Sequence, residues 1–309
     1  MEYHAERLAD LAETAQAHHT SLSHAAVERK AFKLLRDGYF EKAIAKLDKA
    51  CQQEKEIEIE KNSRGWLKQF SARIAHYWGD FDLAQELQQY AYADNSSLLR
   101  PKTTLPYIPL TLPGQQANAI VSKLIEYDPR RGYATYFDKV VSHLVPEASS
   151  NLFEQALADL GSILGFCTER PDNLYSKGPD VLWLLDDRLG LVIEAKSRKQ
   201  QGNALTKKEH GQLLNAGAWF NKNYPNYSSV LVSVHPNTAT TTATVTDDSK
   251  VLTFEKLNEL ITDSRSLLIE LCEAVISDKE LIIRCEQLLS NSMLKPNSLI
   301  EQYLVPFDK

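Results

Sequence analysis

A chain of 309 residues with 43% hydrophobic and 25% charged residues has the make-up of an ordinary soluble protein of about two domains, which excludes collagen-like, mucin-like and largely disordered chains. No stretch reaches the roughly 18 consecutive apolar residues of a membrane helix, and the opening MEYHAERLADLAE lacks the basic and apolar regions of a secretory signal, so no membrane association and a cytoplasmic location are expected. A net charge of −6 disfavours indiscriminate coating of nucleic acid but leaves local basic patches open, and Cys51, Cys167, Cys272 and Cys285 are too scattered for a disulfide framework or a cysteine zinc site.

Residues 1–100 read as helical, because apolar residues recur at helical spacing and no proline occurs before Pro101. Ala31, Leu34, Gly38, Phe40, Ala43, Ile44, Leu47 and Ala50 describe a helix, a glycine turn and a second helix. Trp66, Ala72, Tyr77, Gly79, Phe81, Ala84, Leu87 and Ala91 describe the same again. The cores Gly-Tyr-Phe-x-x-Ala and Gly-Asp-Phe-x-x-Ala resemble the tetratricopeptide repeat (TPR), at a longer-than-standard spacing. Such a region is either a docking surface for a partner protein or a helical hairpin packed on its own neighbour. The acidic run Glu54, Glu56, Glu58, Glu60 reads as a solvated face or loop.

Pro101, Pro106, Pro109 and Pro113 break helical periodicity, so residues 101–113 read as an extended linker between a helical domain, 1–100, and a second domain, 114–309. Helices are expected around Gln115–Glu126 and Ala134–Leu144, with Arg130 and Arg131 between them either touching phosphate or forming a charged turn. Ser150 is expected to cap a helix carrying Leu152, Phe153, Ala156, Leu157, Leu160 and Leu164, in which Gly161 and Gly165 are packing sites. Apolar runs at Val181–Leu185 and Leu191–Ala195, joined by Asp186-Asp187-Arg188-Leu189-Gly190, pair as an antiparallel hairpin. A helix over Lys207–Asn221 and a strand over Ser229–His235 follow. Asn237–Ser249 is either an irregular loop or a weak strand, and helices resume from Phe254. The order is α-β-β-α-β with helical additions.

The hairpin begins with Gly178-Pro179-Asp180 and ends with Glu194-Ala195-Lys196, so its geometry brings Asp180 beside Glu194 and Lys196. Strand alternation sends Glu194 and Lys196 to one face, while Ala195 points into the core and leaves its carbonyl available to a metal. Two carboxylates and an amine suit metal-assisted phosphodiester hydrolysis: Asp180, Glu194 and the Ala195 carbonyl hold Mg²⁺, for which Mn²⁺ substitutes, and Lys196 stabilises charge or orients the nucleophile.

These residues match the signature of the PD-(D/E)xK nuclease superfamily, and the chain resembles that family over about Ser150–His235. The resemblance implies a restriction-endonuclease-like α/β fold with a mixed-sheet core, here carrying an N-terminal TPR-like helical domain and C-terminal helices. It makes Asp180 and Glu194 metal ligands and Lys196 the catalytic lysine. Glu154 corresponds to the additional acidic residue of many members, and Gln212 is the best choice for the residue on the following helix that contacts the scissile strand. His210 is either a metal ligand or, more simply, a surface or capped histidine. The basic zone including Lys199, Lys207 and Lys208 either contacts phosphate or is a solvated loop.

The helix pair running into Asn95-x-x-Leu-Leu-Arg-Pro101 also looks like modules of bacterial helicase-linked defence systems. The function expected is a metal-dependent endonuclease acting on nucleic acid, DNA foremost, in an antiviral assembly with a protein partner such as a helicase and with a homo-oligomer open. A repair or recombination nuclease, and a catalytically silent nuclease-like scaffold, are the alternatives. No G-x-x-x-x-G-K-[ST], G-x-S-x-G or H-E-x-x-H motif supports another chemistry.

Overall fold

The computed structural model describes residues 25–52, 61–103, 107–111, 114–200, 202–241 and 249–308. The chain divides into two compact units between Pro106 and Tyr107. Tyr107 and Leu110, within the segment read as a linker, pack on the second unit, where the Leu110 amide donates to the Tyr224 hydroxyl at 2.9 Å.

The first unit consists of two helical hairpins: α1 (residues 25–36) with α2 (Phe40–Gln52), and α3 (Lys61–Trp78) with α4 (Phe81–Asp94). Both turns are set by a glycine in the left-handed region, Gly38 at φ 80° and Gly79 at φ 91°, where a Cβ would be strained even though open space surrounds it. Ala31, Ala43, Leu47, Leu67 and Ile74 close the core, the small residues allowing the helices to approach. Asp94 of α4 ties back to α3 through Arg64 at 3.0 Å and Lys68 at 2.6 Å. The acidic run Glu54, Glu56, Glu58, Glu60 lies outside the described residues.

The second unit is mixed α/β. Helices α5 (Gln116–Leu124), α6 (Arg131–Val141) and α7 (Ser150–Ile163) lead into β1 (Cys167–Glu169), α8 (Pro171–Tyr175), β2 (Val181–Leu184), β3 (Leu189–Ala195), α9 (Lys207–Asn223), β4 (Ser228–Val234) and β5 (Ser249–Leu252). Helices α10 (Phe254–Glu273), α11 (Asp278–Ser290), α12 (Pro296–Tyr303) and β6 (Val305–Pro306) complete it. The sheet has six strands in the order β1-β2-β3-β4-β5-β6, antiparallel from β1 to β3, parallel from β3 to β5 and antiparallel again at β6.

The expected hairpin is present, pairing Val181 with Ile193 and Leu184 with Gly190. One sheet face, through Trp183, Leu191, Ile193 and Val232, packs into a large core with α7 and α10. The other, through Leu182, Leu184, Val192 and Leu231, packs on Leu213, Ala216 and Phe220 of α9. Gly161 meets the Trp183 ring, so α7 sits directly on β2, and Gly165 turns the chain at φ 83°.

Three local expectations are refined. Ser149, not Ser150, caps α7, because Ser149 is the extended residue whose hydroxyl accepts from the Leu152 amide at 3.3 Å. Arg130 is a structural turn residue: its guanidinium donates to the Ala274 carbonyl at 3.0 Å and to Asp278 at 2.9 Å, tying the start of α6 to the end of α10. Within 237–249, Thr240 and Ala239 form isolated bridges to Leu205 and Asp308, Ser249 begins β5, and residues 242–248 lie outside the described residues. Among the described residues no helix is long and apolar enough to cross a membrane.

Candidate active site

Gly178 starts the geometry of the site. Its φ of 100° turns the chain out of α8, and a Cβ there would lie 2.9 Å from Pro171 and 3.0 Å from the Trp219 ring of α9. The Pro179 carbonyl accepts from the Asp172 amide at 3.1 Å, which fixes the residue before Asp180. With Val181 paired to Ile193, the same register brings Asp180 opposite Glu194. Alternation from Leu182 and Val192 places Asp180, Glu194 and Lys196 on the α9 side of the sheet, while Ala195 packs towards the opposite core.

Asp180 Oδ2 accepts from the Ala195 amide at 2.9 Å, so its carboxylate locks the end of β3 while staying partly exposed. Glu194 is 7% exposed, and its Oε2 accepts from Lys196 Nζ at 3.0 Å. Burial, reinforced by the charge of Asp180, pushes the Glu194 carboxyl up to about 7 against the opposing pull of Lys196. For Lys196, burial alone would favour the neutral amine, but Glu194 and Asp180 outweigh it and hold the ammonium above the usual lysine range. The trio is less peripheral than a solvent-edge cluster: Glu194 is a core residue.

Glu154 joins from α7. Its carboxylate pairs with Arg170 at 2.5 Å, and Arg170, itself buried, also donates to Asn151 at 2.9 Å and Gln155 at 3.3 Å. Burial and then Asp180 raise the Glu154 carboxyl above its ordinary range, with Arg170 opposing. Asp180 is therefore the common neighbour of both glutamates. With Asp172, whose charge also acts on both glutamates, four carboxylates stand against two cations, Lys196 and Arg170, and this imbalance favours a positively charged ligand. Arg170 had no sequence signal, since nothing local marks an arginine before a five-residue helix as the partner of Glu154.

The start of α9 adjoins this cluster. Thr206 and Glu209 form a capping box, and Glu209 also receives Lys199. Burial would raise the Glu209 carboxyl, but Lys199 and Thr206 outweigh it and hold it near 2. Lys199 is thus an internal ion-pair partner, whereas Lys207, Lys208 and Gln212 are exposed along α9. His210 is buried against the sheet, not at the surface, because its position on α9 follows the stripe of Leu213 and Gly217.

Sequence reasoning passed over Ser233 and His235. Ser233 is buried and paired in register with Glu194 across the parallel β3–β4 ladder. His235, fully buried just beyond β4, contacts the Asn237 carbonyl through Nδ1 at 2.7 Å, and burial holds its imidazole below the usual histidine range. Ser233 and His235, alternating with Val232 and Val234 at the end of an apolar run, were the available signal. It becomes informative only once β4 is known to lie beside β3.

Among the described residues no three or more His, Cys, Asp or Glu side chains are gathered into a metal cage. The crowded Asp180 and Glu194, with the Ala195 carbonyl at the same strand end, do fit a hard cation such as Mg²⁺, which uses one or two carboxylates and keeps several waters. Compared with protein-family models, curated proteins and solved structures, the chain matches none.

Proposed function

We propose that the Asp180, Glu194 and Lys196 centre hydrolyses nucleic-acid phosphodiester bonds, DNA foremost, with Mg²⁺ or Mn²⁺. The observation that carries this reading is the crowding of Glu194 by Asp180 at a buried strand end beside an ammonium, which drives one carboxyl towards neutrality. Asp180, Glu194 and the Ala195 carbonyl would hold the metal, whose bound form polarises a phosphoryl oxygen and acidifies water. Lys196 is released from Glu194 to stabilise charge developing on the phosphate. Arg170 holds Glu154 beside Asp180, and Lys207 and Lys208 offer exposed charge to the substrate backbone. The resemblance to the PD-(D/E)xK superfamily supports the same assignment through Pro179-Asp180, Glu194-Ala195-Lys196 and the succession α7, β2, β3, α9, β4, into which β1 and α8 are inserted after α7.

The test is incubation of the intact chain with single- and double-stranded DNA and RNA in Mg²⁺, Mn²⁺ or EDTA. Cleavage that requires metal and disappears in EDTA is expected; intact substrates under every condition would overturn the reading.

A further inference from the structure

The first unit exposes an unusual set of side chains on one groove. Phe32 of α1 and Trp66 and Tyr77 of α3 are 59%, 57% and 71% exposed, with Phe70 half-buried between them. Two adjoining cavities of about 450 and 370 Å³ share Phe32, Phe70 and Arg73; Arg29 and Trp66 line the first and Tyr77 the second. On α3 the sequence Trp66, Phe70, Arg73, Tyr77 follows helical spacing, so ring, ring, guanidinium and ring succeed one another along one stripe. At 1.5 Å rise per residue the stripe runs about 16 Å. Volumes of this size fall within the range of small-molecule pockets, about 300–1,000 Å³.

The charge points in one direction. The α3 sequence contains Lys61, Arg64, Lys68 and Arg73 and no Asp or Glu, in a chain whose net charge is −6. Arg64 and Lys68 are consumed by Asp94, but Arg29 and Arg73 have no carboxylate partner among the described residues. Glu28 is the single acidic residue on the groove. An acidic peptide would satisfy the guanidiniums and leave the series of rings unexplained. A single-stranded nucleic acid uses both, phosphates on the arginines and bases on the planar rings and guanidinium.

We infer that the α1–α3 groove binds single-stranded nucleic acid through stacking on Phe32, Trp66 and Tyr77 and phosphate contacts from Arg29 and Arg73. This site lies wholly in the first unit and stands independently of the phosphodiesterase reading. Stacking accounts for sequence tolerance, and the two arginines set a modest dependence on salt.

The test is fluorescence anisotropy of a labelled oligothymidylate titrated with the intact chain in EDTA, where cleavage does not enter. Trp66→Ala and Phe32→Ala are each expected to weaken binding about tenfold, and Trp66→Phe to retain most of it. Arg29→Glu with Arg73→Glu is expected to lower the log–log salt slope by about 1.4, the share of two single-strand phosphates. Lys207→Ala with Lys208→Ala, far along the sequence at the proposed active site, should leave the groove-dependent loss in place. Absence of oligonucleotide binding, or parental affinity and slope in the groove variants, would overturn the inference. So would selective binding of an acidic aromatic peptide that depends on the same residues, which would make the groove a protein-docking site.

Discussion

Gly178→Ala separates backbone strain from packing at the residue that aims Asp180. At φ 100° the position lies beyond the left-handed well of about +50° to +70° available to L-residues, a cost of about 1–2 kcal/mol. The new methyl would also stand 2.9 Å from Pro171 Cβ and 3.0 Å from the Trp219 ring, against ordinary carbon contacts of about 3.5–4.0 Å. Both neighbours are ring atoms with little room to yield, and overpacking of this kind adds about 1–3 kcal/mol. The sum is about 2–5 kcal/mol. Gly38→Ala is the control, since it shares a positive φ of 80° but has nothing within 4 Å, and only the first cost applies. Urea unfolding followed by circular dichroism measures both. Equal losses in the two variants would refute the packing argument, and a Gly178→Ala protein as stable as the parent would refute the strain argument as well.

The pH dependence of stability follows from Glu194. Its folded carboxyl is raised from the ordinary 4.5 to about 7, so the folded state binds the proton more tightly and stability falls as pH rises from about 4.5 to 7, then levels. Glu154, whose carboxyl is also raised, adds a slope of the same sign, so Glu194→Gln should reduce the slope without abolishing it, and unfolding curves at closely spaced pH values that keep the full parental slope would exclude the assignment. Gly161→Ala should cost about 1–3 kcal/mol, because its Cβ would lie 2.4 Å from Trp183, whereas Gly211→Ala on α9, in open space, should gain about 0.5–1 kcal/mol; thermal melts of the pair with the same sign would contradict this. Thr206→Ala breaks the α9 capping box, costing about 1 kcal/mol and raising the Glu209 carboxyl from near 2, an upward shift visible by NMR titration. Neutralising Lys207 and Lys208 should lower the salt slope of substrate binding at the proposed active site by about 0.9 for each duplex phosphate left without its cation, while Lys199→Ala, removing an ammonium already held by Glu209, should leave it unchanged.

The hairpin carrying Asp180, Glu194 and Lys196 was legible because two short continuous apolar runs and a polar turn are local signals, and local register alone brings the strand ends together. The two helical hairpins were legible for the same reason, through Gly38 and Gly79. Strands β1, β5 and β6 were not: each has two to four residues and, unlike the equally short β2, no neighbouring strand joined to it by a short polar turn, so each exists only through long-range pairing. Arg170, Ser233 and His235 share that fate, since their roles depend on which strand or helix lies alongside. The burial of His210 and the Lys199–Glu209 pair likewise required knowing that α9 packs flat on the sheet.

Cleavage of a labelled nucleic acid in Mg²⁺ and Mn²⁺ by the parent and by Asp180→Asn, Glu194→Gln and Lys196→Ala, each verified as folded, bears most directly on the central claim. The account predicts metal-dependent cleavage by the parent and its loss, by a factor of at least about 100, in all three variants. Cleavage by the variants at the parental rate, or a parent inert with either metal, would contradict it.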